Sequence, residues 1–593
     1  MVYGTRQDGG GARRAPGELR DNKPATFRPV AYRHLGARKN LWADYLTGRG
    51  VLDNGQVVPP KIGARRKNPN LTDMLDTAAA VGVDRIMLTG KVPTVTPGRR
   101  HWLLVQTPGW VAAGHHTGSP ATGRFEHRQT GKKMLVQFAA GWFGDTALPP
   151  DQARLAFQAT QNVIGAFFRD AKLMDTPTAT GANLWALSLP KNLEPYPLTE
   201  DIAEELHRTS GQHHVEHLVA GASAGGHPDC VPLHDPAATP KIEGFAYVDG
   251  RFMYGAMCRE LGIGPGVRLR REETADMLRE NPYARARVHV RFRVPDTWAH
   301  IGLFGVQHER ASDGWYWPNR PGAVGEAWVD AAEFHVAARH GWQLDPVESV
   351  VFTTQVPGAR DRDRKVTARP LDTWQKNLSE ARAAVAADPL MDETIKTAVS
   401  AALRSILINT IGNFAARGRD QTHIAFDPKE VPSTAADVRQ QGRAFLWTTK
   451  AHFDAQAARY YHPELAVQVW GRARARMLSG PMANGLEGGA LHVPASTLLG
   501  VRGDAIYTTE VPPWALPVER GGGDDGRVGR MRLQGYIPGP LKIPADEAER
   551  NRLRAKAARL GVDAAFSEYE MQAAPADGAD YLPGEDEQGA DGE

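Results

Sequence analysis

Hydrophobic and polar positions along the chain keep two periods, one near 3.6 residues and one of two, and their alternation predicts a mixed α/β protein. A short helix is expected at 71–81, followed by a strand at Arg85–Thr89. Strand-like runs follow at His101–Gln106, Val111–His115 and Lys132–Phe138, then a helix at 150–169. Residues 174–190 read as a turn leading into a short helix. At 244–257 an apolar, aromatic run from Phe245 to Val248 ends in Asp249; a turn at Gly250 follows, then an apolar helical start with Tyr254. Residues 258–280 read as an Arg-rich helix or loop. Ala286–Val294 alternates strictly, with Arg287, His289, Arg291 and Arg293 on one face, which predicts a half-buried strand with a positive exposed edge. Helices are expected at 371–387 and 391–416, and a helical pair within 441–480. Residues 497–509 read as strand, Gly503-Asp504 turn, strand, a hairpin with a carboxylate at its tip. A strand at 531–537 and a basic helix at 545–560 close the patterned part, after a Gly-rich break at 520–526.

The flanks lack either period. Residues 1–67 carry fourteen Lys/Arg against five Asp/Glu, whereas 561–593 carry ten acids and no Lys or Arg, a polarity that the net charge of +3 hides. The basic arm suits phosphate backbones or an acidic partner, and the acidic tail a solvated end; plain solubility accounts for both equally. A chain of 593 residues suits three or four domains, and 41% hydrophobic content supports real cores. Two cysteines, Cys230 and Cys258, make neither a disulfide framework nor a Cys-rich zinc site, which points to a reducing compartment. No apolar run is long enough to span a bilayer, and the first residues lack the apolar core of a secretory signal; a cytoplasmic location without membrane contact is expected.

Asp249 and Asp504 carry the sharpest chemistry. Each is a carboxylate at a strand end, the arrangement that holds a divalent metal on rigid elements. For Asp249 the alternative is a helix N-cap. If the two met in space, they could hold a pair of Mg²⁺ ions roughly 3.5–4 Å apart for phosphoryl transfer. His213, His214 and His217 fit part of a zinc site, but no Cys or fourth ligand lies nearby in pattern, and loop or template contacts are the other reading. Gly221-Ala-Ser223-Ala-Gly225 matches a nucleophile elbow by letter, yet the Gly-His-Pro-Asp-Cys-Val-Pro that follows is no helix. There is no phosphate-binding Gly-x4-Gly-Lys-Ser/Thr loop.

The two Asp stretches resemble motifs A and C of family B DNA polymerases, in particular the protein-primed branch of phages and linear plasmids. Asp249 and Tyr254 match the Asp and Tyr of motif A, Asp-x-x-Ser-Leu-Tyr-Pro. In motif C, Asp-Thr-Asp-Ser, the second Asp is kept as Asp504 while Arg502 stands for the first. Between them, residues 404–414 fit the spacing of motif B, with Arg404 for Lys, Ile408 for Asn and Ile411 for Tyr. The resemblance implies an RNase H-like domain followed by a right-hand polymerase palm, fingers and thumb. On that plan 1–70 is a flexible basic arm, 71–190 a degenerate exonuclease-like domain, and 191–370 the first part of the palm. The fingers take 371–440, the rest of the palm 441–519, a small thumb 527–560, and 561–593 is an acidic disordered tail. The exonuclease motif Asp-x-Glu is missing from Met87–Gly90, and the nearby acids Asp84, Asp145 and Asp170 sit in no matching pattern, so proofreading is expected to be lost.

What the resemblance implies for function is template-directed DNA synthesis from dNTPs. Asp249 and Asp504 would be catalytic and hold Mg²⁺ or Mn²⁺, while Tyr254, Arg404, Gly250 and Arg251 would bind the nucleotide. Arg404 has a bland alternative, an Arg snorkelling from a buried helix. Arg472, Arg476, Arg532, Tyr536 and Gly211 would contact DNA, and a separate terminal protein would prime replication of a phage, plasmid or other mobile element. The competing reading is a polymerase-like DNA-binding scaffold without turnover, because Arg502 would set a fixed cation beside the metals.

Overall fold

A computed structural model describes residues 27–32, 38–210, 217–218, 226–352, 369–563 and 565, less short breaks at 64–65, 97, 119, 145–146, 170, 192, 282–283, 310–313, 452–454 and 564. The chain divides into two compact units, and neither is continuous. The first comprises 1–203, 258–266 and 352–466; the second comprises 204–257, 267–351 and 467–593. The chain therefore passes from one to the other five times.

The first unit is built on a ten-stranded mixed sheet. At its centre Asn40–Asp44, Arg85–Thr89 and Lys133–Phe138 run parallel, and antiparallel strands extend it on both sides. Leu41, Ala43, Ile86, Leu88 and Val136 point to one face and pack with the helix Leu71–Ala80 through Met74, Leu75 and Ala78. The alternate residues face the other way, where Trp42 meets Phe157 of the helix Pro150–Phe167 at 5.3 Å between rings. The helix Glu393–Phe414 packs on the helices at Pro150–Phe167, Pro177–Ser188 and Asp372–Ala387. Its apolar positions Leu403, Ile406, Leu407, Ile411 and Phe414 are buried.

Two antiparallel sheets make the second unit. One has the order Met531–Lys542, Lys241–Gly250, Ala505–Thr508, Leu498–Arg502, His217–Leu218. The other has the order Val267–Arg270, Gln343–Val351, Ala286–Arg293, Val324–Asp330. One apolar core joins Ala246, Val248, Ile506, Met531 and Leu533 of the first sheet to Val288, Val290, Phe292 and Val329 of the second. Phe245, Tyr247 and Tyr507 face the opposite way, as strand alternation requires, and are covered by the helix Glu547–Leu560. That helix seats the Arg550 guanidinium 4.6 Å from the Tyr507 ring centroid.

Several expectations are corrected. Residues 38–70 are not a loose arm: Asn40–Asp44, Gly50–Leu52 and Val57–Val58 belong to the large sheet, short strands whose signal the surrounding Arg and Gly conceal. His101–Gln106 is a turn region, and Ala444–Thr449 is a strand paired with Gln421–Ala425 where a helix was expected. The segment expected as fingers folds within the first unit, and the strand expected in a thumb is an integral part of the Asp249 sheet. The Gly-rich stretch 520–526 is a packed loop, since a Cβ on Gly522 would lie 2.0 Å from the Leu516 carbonyl oxygen.

The Ala286–Arg293 strand forms as expected, but its basic face does not all meet solvent. Arg291 is exposed, while Arg287 is buried and donates from Nη2 to the Thr209 carbonyl at 2.9 Å. Around it lie Asp330, which N-caps the helix Ala331–Arg339, and Glu333, paired with buried Arg474 at 3.4 Å. Burial pushes the Asp330 carboxyl up to about 6 and the Glu333 carboxyl up to about 7, against the pull of the neighbouring arginines. Both acids hold protons more tightly folded than unfolded, so this contribution to stability is present at acid pH and lost as pH rises through their folded values. Glu333→Gln should remove one share of that loss: between about pH 5 and pH 7.5 its unfolding free energy in urea should fall less than that of wild type, by about 1–2 kcal/mol. Parallel pH profiles would show that Glu333 does not titrate in this range.

Candidate active site

The centre of the second unit is one strand with a partner on each side. Lys241–Gly250 lies between Ala505–Thr508 and Met531–Lys542, both antiparallel to it. Its register sets Asp249 opposite Ala505 on one side and opposite Arg532 on the other. Asp504 immediately precedes Ala505, so the turn of the 498–508 hairpin brings it beside the end of the Asp249 strand. A backbone hydrogen bond closes the approach, from the Gly250 N–H to the Asp504 carbonyl at 3.1 Å. Both acids are half-buried. The structure thus brings the backbones of the two acidic residues that the sequence singled out, 255 positions apart, next to one another.

Backbone geometry makes room for them. Gly503 has φ +58°, the left-handed conformation that a two-residue hairpin turn asks for. A Cβ on Gly503 would lie 3.0 Å from the Tyr254 hydroxyl, and one on Gly250 would lie 3.3 Å from Asp504 Oδ2 and 2.7 Å from Met253 Cβ. Tyr254 reaches that turn because the chain reverses at Phe252, a buried aromatic residue held at φ 50°, ψ 39°. Such a backbone is costly for an aromatic residue and is sustained by its surroundings. The short helix Met253–Ala256 is capped by Phe252, so Asp249 is not an N-cap.

Charged groups ring the strand end. Arg251 donates from Nη2 to Asp524 Oδ2 at 2.7 Å, and Asp524 is 8% exposed. Arg532, across from Asp249, is largely buried; desolvation holds its pKa below the usual value, and Arg251 adds to this while Asp249 and Asp524 oppose it. Arg502 is exposed, and its Nη1 donates to Asn551 Oδ1 of the helix Glu547–Leu560 at 3.1 Å. Two inter-strand steps, roughly 10 Å, separate its backbone from that of Asp249. Asp524 escaped sequence reasoning because Gly-Gly-Gly-Asp-Asp-Gly reads as a break. Its only signal was the pair of acids set in the glycines.

The remaining expected site residues are placed as follows. Arg404 is exposed on the Glu393–Phe414 helix of the first unit. Arg476 is turned inward, giving Nε to the Gly529 carbonyl at 3.2 Å and Nη2 to the Pro481 carbonyl. Arg472, half-buried, lends its charge to Asp330. Tyr536 is a core residue at 6% exposure, its ring against Gly244. Gly211, His213, His214 and the Ser223 loop lie outside the described residues, as do Asp145 and Asp170; His217 is described only as backbone in a strand. Asp84 is 3.8 Å from Lys132. On the helix-covered face of the parallel strands stand Asn40, Trp42 and Arg85: Asp53 accepts from the Asn40 and Trp42 side chains, and Arg85 Nε donates to Asn40 Oδ1 at 2.6 Å.

Among the described residues no three His, Cys, Asp or Glu side chains gather as a metal site, and no helix is long and apolar enough to cross a membrane. No protein-family model matches the chain, and no curated protein does. Among solved structures the chain is similar to Phi29 DNA polymerase in its orthorhombic crystal form, with a TM-score of 0.48 and 9% identity over 85% of each chain.

Gly250 offers a test of how tightly the two acids are set. Gly250→Ala should lower stability by about 1–3 kcal/mol, because the new methyl collides with Met253 and crowds the Asp504 carboxylate. Chemical denaturation measures this, and a loss below about 0.5 kcal/mol would mean that the strand end has slack.

Proposed function

We propose that the protein is a DNA-directed DNA polymerase whose nucleotidyl-transfer site is Asp249 with Asp504. The observation that carries this reading is the register of the three central strands, which sets both acids side by side at adjacent strand ends. Two half-buried carboxylates suit Mg²⁺ or Mn²⁺, ions that take one or two protein carboxylates and leave the other positions to phosphate oxygens and water. The metal, when bound, would polarise the α-phosphate and lower the pKa of the attacking 3′-hydroxyl. Asp249 and Asp504 would fix where that charge sits. Tyr254, held against the Gly503 turn, would form the floor on which the sugar of the nucleotide rests.

The motif resemblance supports the same reading and adds protein priming in a phage, plasmid or other mobile element. The RNase H-like assignment of the first unit is supported by its parallel central strands flanked by antiparallel ones. Loss of proofreading is supported by the Asn40, Trp42 and Arg85 side chains on the face where a nuclease would need acids.

Primer extension with purified protein, four dNTPs and Mg²⁺ or Mn²⁺ tests the proposal. Wild type should extend the primer. Asp249→Ala and Asp504→Ala should each reduce the rate by about 100-fold or more, the effect of losing several kcal/mol of metal-borne charge stabilisation. No extension by wild type, with DNA binding intact in all three proteins, would replace the polymerase with a DNA-binding scaffold.

A further inference from the structure

One cleft is built wholly from residues of the first unit. Its volume is about 400 Å³, in the range of small-molecule sites, and none of the ten residues that line it carries a charge. Three short segments make its walls: the turn after the strand Asn40–Asp44, the residues leading into the helix Leu71–Ala80, and the turn region at 102–106. Each is held by its own backbone. Asp44 Oδ1 accepts from the Leu46 and Thr47 N–H groups at 3.2 and 2.7 Å, which fixes the first turn. Gly48 lies against the second wall, since a Cβ there would come within 2.6 Å of Pro69 Cγ. Asn70 and Asp73 close a capping box on the helix, and Arg66 pairs with Asp73. In the third segment the Leu104 N–H donates to the His101 carbonyl at 2.9 Å.

The floor of the cleft is aromatic and apolar. Tyr45, Leu71 and Trp102 border the core that contains Met74. The Tyr45 and Trp102 rings stand 6.1 Å apart at 74°, and both lean on the buried Phe138 ring, at 5.3 and 5.0 Å. Rings set nearly perpendicular give a flat ligand one face to stack on and one edge to abut. Leu46 and Val105, also in the lining, are 67% and 38% exposed, apolar surface that a ligand would cover. The polar groups are unspent. The Tyr45 hydroxyl, the Trp102 indole N–H and the side-chain amides of Asn68 and Gln106 have no hydrogen-bond partner among the described residues. Burial raises the Tyr45 pKa, so its hydroxyl stays a neutral donor.

These surfaces fit a molecule that is flat, uncharged, apolar on its faces and lined with donors and acceptors at its edge. An aliphatic ligand would leave the amides unmet, and a charged one would find no counter-charge in the lining. A nucleobase has all four properties. Lys67, next to Asn68, is exposed and has no ion-pair partner among the described residues, a charge suited to the phosphate that a nucleotide carries.

We propose that this cleft binds a nucleobase, supplied either by a free nucleoside or nucleotide or by a single strand of DNA. The base stacks on the Tyr45 and Trp102 rings, and the Asn68 and Gln106 amides meet its edge. The inference is independent of the reading of Asp249 and Asp504, and either can fail without the other.

The test uses 2-aminopurine, a base whose fluorescence is quenched when it stacks. Its deoxyriboside is titrated with full-length protein in EDTA, so that no metal site contributes. Wild type should quench it. Trp102→Leu should weaken binding by about tenfold or more, the usual cost of losing a stacking partner. Asn68→Ala with Gln106→Ala should weaken it by about fivefold while leaving the urea midpoint unchanged, because both side chains are exposed. That pair keeps the test sound if Trp102→Leu folds poorly. A second titration uses an oligothymidylate strand carrying one 2-aminopurine. Quenching of the deoxyriboside that falls in the variants supports the inference with a free nucleoside as the source. Quenching of the strand alone, again falling in the variants, supports it with DNA as the source. No quenching of either probe, or quenching that every variant retains in full, would overturn it.

Discussion

Antiparallel pairing of Lys241–Gly250 with a strand on either side is the constraint from which the site follows. Strand side chains alternate between faces, so register decides the fate of every residue at once. Here Ala246 and Val248 enter the core shared by the two sheets, Phe245 and Tyr247 meet the helix Glu547–Leu560, and Asp249 arrives at the end beside the hairpin turn. A slip of one residue would drive Tyr247 and Asp249 toward the shared core and Val248 out of it. The apolar pattern therefore decides where along the strand, and on which face, the carboxylate arrives.

Electrostatics around that strand end differ from what the local sequence suggests. Arg502, one residue from the hairpin tip, looks like a cation set beside the two acids, yet the turn and Asn551 direct it toward the helix Glu547–Leu560. The arginines that stand at the strand end come from elsewhere, Arg251 from the turn just past it and Arg532 from the strand across from Asp249. Arg550, buried with its charge over the Tyr507 ring, follows the same practice of settling cations on partners within the fold.

The meeting of the Asp249 strand with the Asp504 hairpin was more legible than the architecture around it. Asp249 and Asp504 stood out because each ends an apolar run at a turn, and a turn needs only its own few residues to declare itself. Tyr254 could be placed for the same reason. Arg476 and Tyr536 were read as surface contacts because residue type says nothing about depth: Tyr536 fills the core beside Gly244, and Arg476 serves two backbone carbonyls. The strand Asn40–Asp44 went unseen since five residues among Arg and Gly make no period, and its membership of the sheet comes from pairing with Arg85–Thr89. Glycine misled at 520–526, where Gly522 answers to close packing against Leu516 and not to looseness.

The interleaving of the two units along the chain sets terms for how the protein is made. Lys241–Gly250 leaves the ribosome about 255 residues before the hairpin strand that pairs with it, a wait on the order of ten seconds to a minute at ~5–20 residues per second. During that time Phe245, Tyr247 and Val248 form an apolar strand with both edges bare, the kind of segment that recruits the wrong partner. The pairing around Asp249 thus waits for the hairpin to be made, and neither unit can be obtained by cutting the chain at one point. A nascent chain of this design depends on holding its central strand unpaired but soluble until the hairpin strand has been made.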